Sequence, residues 1–288
     1  MARKAEQEKI NKQSTVMGII LIAVLVFVIV FAFFSNPLTK WAEEWKANRE
    51  AKNSSSMSIP EDDYDEPEDT GYPENEEQLG PDYQLSAPQA GDLIATITTS
   101  KGVMRFKLFP DNASFAVENF TAMARDGYYN GKKFAEIIDA FGVKSEALEE
   151  TTFGGPFKSE FSKNLHNYFG ALGYNAEKDA NISTFHIITA GKVPDEDLDV
   201  MRGEEAKTWP MGFSEAVVEA YANNGGNPRV DGYYVVFGQL FEGKDVLEAI
   251  SKIAVVFAPT EDEFNEGAEP DYTPLEDITI ISVVIETY

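Results

Sequence analysis

An uncharged apolar run near the N-terminus, VMGIILIAVLVFVIVFAFF at residues 16–34, is the first constraint on this chain. At about 1.5 Å per residue, a helix of this length matches a hydrocarbon core of roughly 30 Å. The run predicts a single transmembrane helix, preceded by a short cytoplasmic tail over residues 1–15. A cleaved signal peptide is the alternative, because the basic segment MARKAEQEK comes first. Against it, the run is long for a signal peptide and no clear small-x-small cleavage site follows.

Basic residues lie on both sides of the apolar run, so the positive-inside rule hardly distinguishes the two orientations of the predicted transmembrane helix. They are Arg3, Lys4, Lys9 and Lys12 before it, and Lys40, Lys46, Arg49 and Lys52 after it. A short N-terminal tail, an apolar run and a large C-terminal domain are typical of a signal anchor. We therefore expect a single-pass protein of the cell membrane with its C-terminal domain outside the cytoplasm. The absence of cysteine fits an exported protein without disulfides, but also fits a cytosolic one.

Two segments are predicted between the membrane and the folded domain. Residues 35–52 predict a juxtamembrane helix, with Trp41 and Trp45 one turn apart on one face. Residues 53–90 predict an acidic disordered linker, since Ile59–Leu85 holds eleven acidic residues and no Lys or Arg. A flexible coil of this length reaches roughly 35 Å. The linker is interpreted as a spacer, with a cation- or partner-binding tail as the alternative.

The folded domain is predicted over residues 91–288, where apolar and polar residues alternate around turn signals. DLIATITTSKGVMRFKLFP predicts a β-hairpin, and DNASFAVENFTAMARDG predicts a helix capped by Asp111 or Asn112. Three more runs predict strands and two predict short helices: FHIITA, YYVVFGQL and DITIISVVIETY, then FSEAVVEAYANNGG and DVLEAISKIAVV. Many short strands with few helices favour a mainly β fold, a closed or nearly closed barrel capped by helices.

The order of these landmarks resembles the cyclophilin family. ATITTSKGVMRFKLFPDNASFAVENFTAMARDGYYNGKKF is similar to the family's opening, and GPFKSEF, VDGYYVVFGQLFEGKDVLEAI and the closing strand follow in the family's order. The resemblance spans roughly Leu93 to Ile285, with an acidic insertion at about 192–226. It implies an eight-stranded antiparallel barrel capped by helices, and peptidyl-prolyl cis/trans isomerase activity without a cofactor or metal.

The same resemblance implies that the catalytic positions are altered. The family's active-site strand reads F-H-R-V-I-x-x-F-M-x-Q-G-G-D, and residues 134–147 here read FAEIIDAFGVKSEA. Glu136 stands at the catalytic arginine, and Lys144 stands at the glutamine. A carboxylate offers only acceptors, so Glu136 cannot supply the arginine's hydrogen bond. No catalytic residue is intact by this comparison, which predicts weak or absent isomerase activity.

The resemblance also implies which residues line the substrate site. They are Phe141, Gly142, Asn175, Ala176, Thr184, His186, Val230 and Tyr234. Only Phe141 clearly keeps the family's residue. Arg229 replaces the family's tryptophan and is a candidate to supply the missing donor from another loop.

Four altered residues are expected to face one groove as a polar network: Glu136, Lys144, His186 and Tyr234. Glu136 and Lys144 form an ion pair only if their strand bends, either as an ordinary solvated pair or as a new catalytic pair. His186 is interpreted as a packing residue rather than a metal ligand or base, because His166 is the only other histidine and cysteine is absent. The run PDEDLD at Pro194–Asp199 is interpreted as solvated rather than as a calcium loop.

Two functions from different classes follow. As an enzyme, the protein would assist folding of exported proteins at the membrane surface. As a binding module, it would hold a proline-containing peptide or an unfolded exported protein without turnover, and Glu136 favours this reading. The formal net charge of -25 argues against nucleic acid as a partner.

Overall fold

The computed structural model describes residues 76–146, 151–153, 157–175, 180–181, 183–203, 206, 212–260, 263 and 267–288. The predicted tail, transmembrane helix, juxtamembrane helix and first part of the linker lie outside these ranges. Within the described ranges, no helix has the length and apolarity needed to cross a membrane. Of the described residues, 76–257 and 271–288 belong to one compact unit, and 258–260, 263 and 267–270 belong to another.

Seventeen helices and strands, together with one 3₁₀ turn, follow along the described chain. The helices are α1 (Asp82–Leu85), α2 (Ser114–Arg125), α3 (Asp195–Arg202), α4 (Glu215–Asn224) and α5 (Lys244–Ser251), and the 3₁₀ turn is Pro228–Val230. The strands are β1 (Leu93–Thr99), β2 (Gly102–Leu108), β3 (Phe134–Ile138), β4 (Gly142–Ser145), β5 (Phe157–Lys158), β6 (Ala171–Asn175), β7 (Ala180–Asn181), β8 (Phe185–Ile188), β9 (Tyr234–Glu242), β10 (Val255–Phe257), β11 (Asp271–Pro274) and β12 (Ile280–Thr287).

Eight strands form one antiparallel sheet in the order β12-β1-β2-β9-β6-β8-β4-β3. The sheet curls until its two edges meet. There the N–H of Phe134 donates to the carbonyl of Ile278 at 3.0 Å, and the N–H of Ile280 donates to that of Lys132 at 2.7 Å. The predicted mainly β, eight-stranded antiparallel sheet is therefore confirmed. Two further pairs, β10 with β11 and β5 with β7, stand apart from it.

The core lies inside the curled sheet because alternate residues of each strand point inward. Phe106, Phe185 and Phe237 are each fully buried there. Helix α2 covers this core and inserts Phe120, whose ring lies 5.8 Å from Phe185 and 5.2 Å from Phe237. Such tilted and edge-to-face contacts are favourable arrangements for aromatic rings.

The cap predicted for helix α2 at Asp111 or Asn112 is wrong. The helix begins at Ser114, after Ala113, which makes no capping hydrogen bond through its side chain. Glu160 does this instead, accepting from the Ser114 hydroxyl at 2.9 Å and from the Phe115 N–H at 2.6 Å. A carboxylate at this end also suits the helix dipole.

The insertion at about 192–226 folds into helices α3 and α4, which share an apolar cluster with Tyr168. Leu198 and Met201 of α3 pack with Val218 and Tyr221 of α4. The interpretation of PDEDLD as solvated is wrong at Asp197, which is 6% exposed. Its carboxylate is buried because an arginine from outside the insertion pairs with it, as the next subsection describes.

The acidic linker predicted over 53–90 is wrong in its last part, because residues 76–90, hereafter the arm, pack against the folded domain. Gln84 in α1 is fully buried. Its amide nitrogen donates to the His166 carbonyl at 2.8 Å and to the Gln239 side-chain oxygen at 2.9 Å. Its amide oxygen accepts from the His166 N–H at 2.8 Å. One neutral amide with three hydrogen bonds to two residues therefore helps to hold an acidic stretch in place.

A second attachment of the arm comes from Lys107 on β2. Its ammonium donates to the carbonyls of Tyr83 at 2.8 Å and Ser86 at 3.1 Å. Burial lowers the pKa of Lys107, while Asp92 acts in the opposite direction. The arm is also held by the Glu76 carboxylate, which accepts from the Asn112 side-chain nitrogen at 2.9 Å and from the Lys163 N–H at 2.6 Å. Neutral, cationic and anionic groups therefore all fix it.

A chain that begins at Gly91 should be less stable than one that begins at Glu76. Each hydrogen bond to the arm contributes about 0.5–1.5 kcal/mol net, since water takes over the groups that the arm leaves. Five such bonds, through Gln84 and Lys107, set an upper limit of about 2.5–7.5 kcal/mol on their contribution to the loss, and the entropy of ordering the arm lowers the net loss. Urea unfolding of both chains measures it, and coincident transitions would show that the arm does not stabilise the domain.

Candidate functional site

Strands β3 and β4 form a hairpin that carries Glu136 and Lys144 to directly opposed positions. The Lys144 ammonium lies 2.9 Å from the Glu136 carboxylate. The bend that the sequence required for this ion pair is therefore present. The side chains are 42% and 29% exposed for Glu136 and Lys144, so the pair is partly solvated and contributes about 0–1 kcal/mol to stability.

The same lateral row continues across the outer face of the sheet. Lys144 is paired in register with His186 of β8, and His186 is paired with Gly173 of β6. Inward residues beside them, such as Val143 and Ile187, belong to the core. The expected juxtaposition of Glu136, Lys144 and His186 on one face is thus seen in the strand register.

Three aromatic rings meet at one end of this row. The ring of Phe141 lies 5.4 Å from His186 and 5.2 Å from Tyr234, and His186 lies 4.7 Å from Tyr234. Val230 and Phe141 pack against the same buried residues, which include Ile188 and Val236. We call Phe141, His186, Val230 and Tyr234 the Phe141 cluster.

The hairpin tip fixes the backbone of Phe141. Ala140 adopts a φ of 53°, in the left-handed region that non-glycine residues rarely occupy. The Ala140 carbonyl accepts a hydrogen bond from the Asn227 side-chain nitrogen at 3.2 Å. The Phe141 carbonyl accepts from the N–H groups of Thr189 at 3.0 Å and Ala190 at 3.2 Å. Contacts from two other segments therefore define where the Phe141 ring emerges.

His186 lies over a glycine, and this explains its burial. A Cβ at Gly173 would come within 2.8 Å of the His186 ring, so the glycine makes room for the imidazole. His186 is 2% exposed, and burial lowers its pKa to about 3, with Lys144 adding in the same direction. Among the described residues its Nε2 has no hydrogen-bond partner. At neutral pH the ring is uncharged and packs as an aromatic group.

A metal role for His186 finds no support in the described part of the chain. No group of three or more His, Asp or Glu side chains there is placed to hold an ion.

Arg229 does not approach Glu136. Its guanidinium binds Asp197 of α3 through two contacts, Nη2 to Oδ1 at 2.5 Å and Nε to Oδ2 at 3.2 Å. This two-point geometry is the strong form of an arginine–carboxylate pair. The hypothesis that Arg229 occupies the place of the catalytic donor is therefore wrong for this conformation, because Asp197 already holds it.

For the other described residues of the predicted substrate site, the structure shows burial and backbone contacts. Gly142 cannot be replaced on this backbone, because a Cβ would collide with the carbonyl oxygen of Ile187. Thr184 is half-buried just before β8, and the backbone of Asn175 pairs with Tyr234. Ala176 lies outside the described residues.

A buried network beneath the Phe141 cluster was not predicted. The Asp231 carboxylate accepts from the Tyr221 hydroxyl at 2.7 Å and from the Asn167 N–H and side-chain amide, both at 2.8 Å. His166 Nδ1 lies 3.0 Å from the same carboxylate. Burial and Asp231 together raise the pKa of Tyr221, which keeps its hydroxyl a donor. The sequence offers only the turn signal Asp-Gly at this point, since Tyr221 lies 10 residues away along the chain and Asn167 and His166 lie 64 and 65 residues away.

Comparisons with known proteins identify the family. The model of the cyclophilin type peptidyl-prolyl cis-trans isomerase/CLD family matches residues 94–285. A relative from Staphylococcus saprophyticus is 40% identical over 210 residues, covering 70% of this chain and 96% of the relative. A relative from Staphylococcus aureus is 33% identical over 205 residues, covering 69% of this chain and 94% of the relative. The names of both relatives give peptidyl-prolyl cis-trans isomerase as a proposed activity.

Solved structures of a cyclophilin type peptidyl-prolyl cis-trans isomerase from Cryptosporidium parvum are also similar. One is 20% identical with a TM-score of 0.49, covering 68% of this chain and 99% of that protein. A second, determined in the presence of the dipeptide Ala-Pro, has a TM-score of 0.48. On the match of the family model and the identity to the staphylococcal relatives, the chain belongs to the cyclophilin-type peptidyl-prolyl cis-trans isomerase family.

Proposed function

We propose that this chain is a membrane-anchored, extracytoplasmic cyclophilin that binds proline-containing segments of exported proteins at the Phe141 cluster and isomerises them only weakly. The observation that carries the proposal is the Glu136–Lys144 ion pair at 2.9 Å. It stands where the family's resemblance places the catalytic arginine and glutamine, beside a cluster that keeps an aromatic lining.

Binding of a proline ring is supported by the chemistry of the Phe141 cluster. Small apolar groups bind in sites lined by aromatic side chains with a few polar groups nearby. The neutral state of His186 adds to this lining, because its pKa of about 3 leaves it uncharged at neutral pH. Tyr234 is only partly buried, so a peptide can reach it from solvent.

Weak catalysis is supported by the acidic residue Glu136 at the position of the family's catalytic arginine. Rotation about a peptide bond has a barrier of about 18–20 kcal/mol, which is due to amide resonance. A donor to the prolyl nitrogen weakens that resonance, and Glu136 has only acceptors. Among the described residues, Lys144 is paired with Glu136 and the candidate donor Arg229 is paired with Asp197. Desolvation of the prolyl bond against Phe141 is the remaining source of acceleration.

The membrane location is supported by sequence alone. Residues 16–34 are apolar and uncharged, and the net charge of -25 disfavours nucleic acid as a partner. The proposed partners are the membrane, through this run, and unfolded exported proteins. Neither a metal nor a cofactor is needed for the proposed binding.

A non-catalytic binding module is the second candidate, and the same ion pair favours it. It differs from the first only in turnover, so the isomerase measurement separates the two.

Restoring the family's residues should create activity. For a chain beginning at Glu76, we expect prolyl isomerisation close to the uncatalysed rate in a protease-coupled assay. The variant Glu136→Arg/Lys144→Gln should be at least about tenfold faster, because one positioned donor is worth about 10²–10³ in rate. Changing both residues avoids placing an arginine beside Lys144.

The matched control is Glu136→Gln/Lys144→Gln, which removes the ion pair without supplying a guanidinium. It should remain at the wild-type rate. A wild-type rate far above background would refute the assignment of weak catalysis, and an inactive arginine variant would show that more than this donor has been lost.

Peptide binding should depend on Phe141. Phe141→Ala should weaken the affinity for a proline-containing peptide roughly tenfold or more, as expected for removing an aromatic anchor worth about 2 kcal/mol. Phe115→Ala is the matched control, because Phe115 is 41% exposed on α2 and contacts Phe153. Calorimetric titration measures both, and equal effects of the two variants would place the peptide elsewhere.

Acid should destabilise the domain through His186. Its pKa of about 3 in the folded protein lies below the ordinary 6.5, so the unfolded chain binds the proton more readily. The stabilisation is complete above about pH 6.5 and is lost as the pH falls toward 3, at up to about 1.4 kcal/mol per pH unit. Urea unfolding between pH 6.5 and 5 should show this slope in the wild type. His186→Phe should flatten it, and an unchanged slope would assign the proton to another group.

A further inference from the structure

Gln84 lies outside the segment that matches the family model, yet it is fully buried in the domain. Both ends of its amide are used, with the nitrogen bound to His166 and Gln239 and the oxygen bound to His166. The two contacts to His166 are to its backbone N–H and carbonyl. Such a paired contact fixes the backbone of His166 as a neighbouring strand would.

The side chain of His166 extends this contact toward the Phe141 cluster. Its Nδ1 lies 3.0 Å from Oδ2 of Asp231, and the two side chains are 3% and 1% exposed. Because a carboxylate only accepts, Nδ1 carries the proton in this hydrogen bond. The position of the His166 backbone therefore determines where the buried Nδ1–H of His166 hydrogen-bonds to Asp231.

Asp231 in turn fixes the segment that presents two residues of the Phe141 cluster. Its N–H donates to the Pro228 carbonyl at 3.2 Å, and the N–H of Tyr233 donates to the Val230 carbonyl at 3.0 Å. Asp231 also forms a β-bridge with Tyr234. The buried carboxylate thus anchors a tight turn with Val230 on one side and Tyr234 on the other.

A second contact leads from the arm to the same place. Tyr83, next to Gln84, packs against the buried cluster that also supports Phe141 and Val230. Its ring lies 5.5 Å from that of Phe109. The arm therefore reaches the Phe141 cluster through hydrogen bonds and through apolar packing.

We propose that Gln84 is a positioning residue for the peptide site: it holds His166 so that Asp231 fixes the turn carrying Val230 and Tyr234. This inference rests on the proposed function for its effect on binding. Its effect on the turn itself is independent of any ligand.

The test uses the full-length chain with Gln84→Met, which keeps the length of the side chain and removes its hydrogen bonds. Gln89→Met is the matched control, because Gln89 belongs to the same arm and is exposed. Hydrogen–deuterium exchange should be at least about fivefold faster at residues 164–168 and 228–234 in Gln84→Met, with β1 and β2 unchanged. The dissociation constant of an Ala-Pro-containing peptide should rise roughly three- to tenfold, as for one lost buried hydrogen bond.

Asp231→Asn gives a second test that leaves the arm in place. It should accelerate exchange at residues 228–234 without affecting residues 76–90. A uniform acceleration in Gln84→Met, or none at residues 228–234, would overturn the positioning role and leave Gln84 as a general stabiliser. If the wild type binds no proline peptide, the proposed function fails, and the exchange pattern still decides the role of Gln84.

Discussion

The register of four adjacent strands is the constraint on which the candidate site depends. The pairs Glu136–Lys144, Lys144–His186 and His186–Gly173 place one polar row on the outer face of the sheet. A shift of the strand register by one residue would point this row toward the core and expose Val143 and Ile187. The hydrogen bonds that join the sheet edges at Phe134 and Ile280 hold the curled sheet against such a slip. The fold therefore fixes the positions of the row, whatever side chains occupy them.

This separation explains how a family framework can persist around a site that the sequence resemblance predicts to be altered. Inward side chains such as Phe106 and Phe185 pack from several sides, so a change there leaves a cavity or a clash. The outward row meets fewer neighbours, and a partly exposed pair such as Glu136 and Lys144 costs little to keep. His186 is the exception. Among the described residues its buried Nε2 has no hydrogen-bond partner, which costs free energy, and the cost is smaller for a neutral ring than for a charged one. Its tolerance depends on Gly173, which leaves room beneath it.

The sequence could predict the parts that depend on local pattern, and failed where the partner is distant in the chain. The β-hairpin at residues 93–108 and helix α2 follow from periodicity and were found where expected. The cap of α2 comes from Glu160, 46 residues from Ser114. The Asp197 carboxylate is buried by an arginine 32 residues away. Sequence composition assigns Gln84 to the acidic linker, because its hydrogen-bond partners lie 82 and 155 residues further along the chain. Composition describes such a tract on average and misses individual residues that pack, such as Gln84 and Tyr83.

The arm changes what the proposed membrane anchor can do. The predicted linker covers at most residues 53–75 if the arm belongs to the folded domain. The folded domain would then begin at a segment bound first through Glu76 to Lys163 and Asn112, and after that through Gln84 and Lys107. A pull transmitted along the linker would act on these bonds before it acted on β1. Because His166 also contacts Asp231, the end of the chain nearest the proposed membrane would be joined to the peptide site by buried hydrogen bonds rather than by a free tether.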